Sequence, residues 1–154
     1  MPTVINFENV LSTNPSNFDI DAKVTMVEGP STLDYSEGPV PNAIQVDQST
    51  TFTFKWNLTG FLAGPLFATG NLKIDVFYEL VGGGALVSVP QTTVTLSPTK
   101  LTGPTATVDV VVAPLAVTEG VYRIVIRLAA FLAGGTATPV CGFTELGLIQ
   151  YYKG

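Results

Sequence analysis

From Thr50 to Thr59 the chain sets Phe52, Phe54, Trp56 and Leu58 in alternation with Thr51, Thr53, Lys55 and Asn57. Successive side chains of a strand point to opposite faces, so a period of two predicts a half-buried β-strand. It gives three aromatics and a leucine to a core and a polar row to water. The same stretch holds the only tryptophan of the chain. Two further segments repeat the pattern. Leu72, Ile74, Val76, Tyr78 and Leu80 alternate with Lys73, Asp75, Phe77 and Glu79, and Tyr122, Ile124, Ile126 and Leu128 alternate with Arg123, Val125 and Arg127. An earlier one places Phe18, Ile20, Ala22, Val24 and Met26 opposite Asp19, Asp21, Lys23 and Thr25.

Shorter candidate strands fill the intervals: Val4 to Val10, Ala43 to Val46, Ala85 to Val89, Thr92 to Leu96, Thr105 to Val112, and Cys141 to Tyr152 with Leu146 and Leu148 facing in. Gly82-Gly83-Gly84 turns the chain, Gly29 to Pro41 reads as a loop, and Pro90, Pro98, Pro104 and Pro114 keep neighbouring ladders short. No stretch sustains a 3.6-residue period. The expectation is an all-β, antiparallel sandwich of seven to nine strands with Greek-key connections, its core built from Phe52, Phe54, Trp56, Leu72, Ile74, Val76, Tyr78, Val108, Val110, Tyr122, Ile124 and Ile126. The 154 residues suit one domain, with a sandwich core over 43–152 and an N-terminal extension over 1–42 that carries one or two strands.

Thr118-Glu119-Gly120-Val121-Tyr122-Arg123-Ile124 resembles the tyrosine corner of immunoglobulin-like and fibronectin-type-III-like domains, in which the Tyr hydroxyl returns to backbone just upstream. The resemblance covers roughly residues 43–152 and implies a fold only, because that superfold hosts many functions. Trp56 sits on the second strand of this scheme rather than the third.

Composition limits the chemistry. With no histidine and one cysteine, Cys141, the chain has neither a Ser-His or Cys-His pair nor the ligands of a structural zinc site, and an intrachain disulfide is excluded. No catalytic residue, cofactor or metal is expected. A net charge of −5 with seven scattered basic residues argues against nucleic acid. Asp75 and Glu79 could form an acid/base pair, but Arg123 and Arg127 on the neighbouring strand make a cross-strand ion-pair ladder the better reading. Asp19, Asp21, Asp34, Glu37 and Asp47 could gather around Ca²⁺, or simply line a wet face. A calcium-binding or carbohydrate-active domain is therefore a third alternative. Neither a secretory signal nor a membrane span is read from the sequence, which places the protein in the cytoplasm or in an assembled particle.

Charged residues make up only 12% of the chain, against about 25% in a typical soluble domain. Apolar or threonine-rich surface is then expected to be covered by a partner. One echo gives the candidate: Gly60-Phe61-Leu62-Ala63-Gly64-Pro65 and Ala130-Phe131-Leu132-Ala133-Gly134-Gly135. Both fall in connections that leave a sandwich at the same end, so Phe61, Leu62, Phe131 and Leu132 either plug the core or form a docking tip. Residues 1–47 hold seven acids and one base, an acidic arm on a body near neutrality. The expected function is a non-enzymatic structural or self-assembling subunit, associating through the loop tips and the acidic arm. The alternative is an interaction module whose partner is another protein.

Overall fold

The computed structural model describes residues 3–8, 12, 14–29, 42–84 and 86–154. The proposed loop from Gly29 to Pro41, with Asp34 and Glu37, falls almost wholly outside them, as do Val10 and Ala85 of the proposed strands. Among the described residues ten strands form one curled sheet: β1 (Thr3–Glu8), β2 (Asp19–Glu28), β3 (Ala43–Gln45), β4 (Thr50–Thr59), β5 (Asn71–Leu80), β6 (Leu86–Ser88), β7 (Thr92–Thr95), β8 (Thr107–Val112), β9 (Gly120–Phe131) and β10 (Ala137–Tyr152). The number exceeds the expected seven to nine because the three- and four-residue ladders β3, β6 and β7 all find partners. A short α-helix, α1 (Ala63–Phe67), follows β4.

The strand order is β6-β5-β9-β10-β1-β2-β4-β8, with β7 also on β5 and β3 running parallel to the end of β10. The curl passes through β1. Its first half, Thr3 to Ile5, pairs with β2, and its second half, Asn6 to Glu8, pairs with β10. One strand thus joins two walls, β2-β4-β8 and β10-β9-β5, that face each other across the core. The three strands of the acidic segment, β1, β2 and β3, are all paired within this sheet. β2 lies between β1 and β4, with Phe18, Ile20, Ala22, Val24 and Met26 lining the core.

Alternation placed the core well. Eleven of the twelve expected residues are buried, and Val108 is half-buried against them. Trp56 is fully enclosed and donates its indole N–H to the Lys100 carbonyl at 2.7 Å. Phe52 crosses the core to meet Tyr78 edge-on at 6.3 Å.

Two expectations fail. The polar row of β4 does not all face water. Thr51 and Thr53 are buried, and Thr51 donates its hydroxyl to the Gly29 carbonyl at 2.8 Å. In β10, Leu148 is exposed and Leu146 half-buried, while Ile149 and Tyr151 face in. Between the pairs Glu145–Val125 and Leu148–Arg123, β10 advances three residues to β9's two, with Gly147 at φ 86°. This β-bulge inserts one residue and so exchanges the inward and outward sets beyond it.

Candidate interaction surfaces

Asn71 pairs with Phe131, so the β4–β5 and β9–β10 connections do emerge together at one end of the molecule. The first begins at Gly60, whose φ of 95° turns the chain so closely over Asn17 that a Cβ would lie 2.6 Å from its carbonyl oxygen. The Phe61 and Leu62 amides donate to the Ser16 and Asn17 carbonyls, and α1 follows. The residue that seals the core here is Phe67 of α1, fully buried with its ring 5.4 Å from that of Phe18. Relieved of that duty, Phe61 is 68% exposed. Leu62 and Leu132 are half-buried against the core. Phe131 is half-buried, with the Lys73 ammonium 4.4 Å above its ring. Of the four expected tip residues, the fold brings all to one end and leaves one as a projecting knob.

A second apolar surface went unread in the sequence. It lies at the opposite end, where the two termini of the curled sheet, β6 and β8, approach without pairing. A groove of about 270 Å³ runs between them, lined by Val87, Val89, Pro90, Val111, Ala113 and Val117 among others. At Val117 it meets a hollow of about 380 Å³ bordered by Val46, Leu115, Thr118, Glu119 and Lys153. Val111 and Leu115 are 60% and 69% exposed beside them.

Leu115 is held in an unusual way. Ala116 N–H donates to the Ala113 carbonyl at 3.2 Å, closing a turn with Pro114 second and Leu115 third at φ 65°. That third position ordinarily takes glycine, because a side chain in the left-handed region costs about 1–2 kcal/mol. A leucine presented to solvent at such a cost has no packing role to explain it. The signal in the sequence was the unbroken apolar run Val110 to Val117, which passes straight through a connection.

The polar candidates are accounted for by their neighbours. Asp75 and Arg127 stand directly opposite each other on β5 and β9, with the guanidinium at 2.7 and 3.0 Å from Asp75 Oδ2, and Gln91 donating to both carboxylate oxygens. Arg123 reaches Glu145 at 3.0 Å and Glu79 at 3.9 Å. This is the expected ion-pair ladder, and its exposed members contribute little to stability. Asp19, Asp21 and Asp47 are exposed. Burial pushes the half-buried Cys141 thiol up from its ordinary range, which nearby Arg127 opposes and Asp75 reinforces. A thiol so held is a poor nucleophile.

Inside, Tyr78, Tyr122 and Tyr151 meet edge to face at 5.7–5.9 Å. Tyr151 hydroxyl lies 2.9 Å from Thr50 Oγ1 and 3.1 Å from the Tyr78 hydroxyl, tying β4 to β10 and β5. Burial raises the pKa of both Tyr78 and Tyr151. Tyr122 donates to the Thr118 carbonyl at 3.0 Å, the bond that the corner resemblance implies. Among the described residues no helix is long and apolar enough to cross a membrane. No family model matches the chain, and no curated protein is similar to it.

Proposed function

We propose that the chain is a non-enzymatic structural subunit, an immunoglobulin-like β-sandwich that associates with copies of itself through its apolar tip. The topology favours that superfold: β2-β4-β8 forms one wall, β5-β9-β10 the other, and the Tyr122 hydroxyl returns to Thr118. The observation that carries the functional reading is Phe61, 68% exposed at the apex of a stretch, residues 60–70, without a single charged side chain. Contiguous exposed apolar patches mark contacts with other macromolecules, and Phe61 is the most exposed member of one that it forms with the half-buried Leu62, Phe131 and Leu132 at the same end.

Energetics set the form of the contact. Fully burying one phenylalanine yields about 1.5–3 kcal/mol, whereas bringing two proteins together costs about 4–15 kcal/mol. The tip therefore acts together with a second surface. Light scattering on the purified protein over a range of concentrations and ionic strengths tests the reading. Mass rising with concentration, and falling to that of one chain in Phe61→Asp, is the expected result. A protein that stays monomeric throughout, and associates only when another protein is added, would replace self-assembly with the interaction-module reading.

A further inference from the structure

We infer that the second surface is the groove at the far end, and that copies join head to tail, with Phe61 of one copy seated between β6, β8 and the Ala113 to Val117 turn of the next. This rests on the self-assembly reading and names its partner surface. Knob and groove lie at opposite ends of the same sheet. β5 starts beside Phe131 at the tip and reaches β6 through Phe77, Tyr78 and Glu79, on the order of 20–25 Å away at about 3.3 Å per residue. They cannot meet within one molecule. A contact between different patches is heterologous, and its repetition produces a ring or a filament.

The groove suits a side chain better than a cofactor. Its lining of Val, Ala, Pro and one Ser carries no charge and no convergent polar groups of the kind that orient a small molecule. An uncharged tip entering an uncharged groove strips no ion of its water. At the rims, Lys73 stands beside the tip over Phe131, while Glu119, with Lys153, borders the larger hollow. The left-handed Leu115, which borders the adjoining hollow, then has a role as an apolar edge beside the seated ring.

Sedimentation velocity on four samples tests this: the unaltered protein, Phe61→Asp, Val111→Lys, and an equimolar mixture of the two variants. Both sites are exposed, so folding should survive, which near-ultraviolet circular dichroism of the enclosed Trp56 checks. The unaltered protein should assemble with concentration, and each variant should associate at least tenfold more weakly. The mixture should form dimers and stop there, because each variant keeps the one surface that the other lacks. Leu115→Gly, which fits its turn, should also weaken assembly. If Phe61→Asp abolishes assembly and Val111→Lys and Leu115→Gly do not, the tip reading stands and the groove is refuted. A mixture that remains monomeric overturns the head-to-tail arrangement, and a Val111→Lys protein that still dimerises replaces it with tip meeting tip. An unaltered protein that never assembles overturns both.

Discussion

Residues 60–65 and 130–135 share the run Phe-Leu-Ala-Gly, yet the fold treats the two copies differently. Phe131 is the last residue of β9, held in register between Asn71 and Ala137, and its ring lies under Lys73. Phe61 comes two residues after β4 has ended, and its amide is tied to a turn of another segment. The first copy continues into α1, the second into a turn with Gly134 at φ 81°. Four identical side chains therefore carry no structural instruction of their own. Where the backbone finds its hydrogen bonds decides which phenylalanine is held against the sheet and which projects.

The largest test of this contrast pits Trp56 against Phe61, five residues apart on one continuous segment. Trp56→Ala opens a cavity in a closed core and removes the indole bond to Lys100, and should cost about 3–5 kcal/mol in urea melts. Phe61→Ala should change the stability of the single chain by no more than about 0.5 kcal/mol. A Phe61→Ala cost above about 2 kcal/mol would place that ring in the core and remove the knob.

That sharp boundary between Leu58 and Phe61 explains what could be read from the sequence. Period-two alternation located β2, β4, β5 and β9, because one face of each is buried and register cannot slip without exposing it. The ion-pair ladder was legible for the same reason, since acids at Asp75 and Glu79 meet arginines at Arg127 and Arg123 once β5 and β9 are neighbours. Legibility ended where one residue shifts the pattern or where distant segments meet. Gly147 reverses the faces of β10, so Ile149 and Tyr151 were missed and Leu148 misplaced. The groove unites residues 87–90 with 111–117, and no local pattern in either announces the other.

The glycines of the repeat give a test with opposite signs. Gly64 lies inside α1 with open space around it, so Gly64→Ala should stabilise by about 0.5–1 kcal/mol. Gly134, its counterpart, has equally open space but a left-handed backbone, and Gly134→Ala should destabilise by about 1–2 kcal/mol. Thermal melts of the two single variants would separate them by several degrees. Changes of the same sign would mean that the two copies share a backbone conformation, which would dissolve the comparison.

The smallest effect concerns what keeps Phe131 down. Lys73 pairs with Ala129 in the β5–β9 ladder, which puts Phe131 at the diagonal position, within reach of a long side chain. An ammonium 4.4 Å from a ring centroid at an exposed site contributes about 0.5–1 kcal/mol. Lys73→Met removes the charge while keeping a flexible stem, so a double-mutant cycle of Lys73→Met with Phe131→Leu isolates the electrostatic part from simple coverage. The cycle should give a coupling of about 0.5 kcal/mol or slightly more. The parallel cycle of Lys73→Met with Phe61→Leu should give none, since Phe61 stands on a different connection with its amide tied to Ser16. Zero coupling in the first cycle would show that the lysine stem merely covers the ring, and the contrast between the two phenylalanines would then rest on the backbone ladder alone.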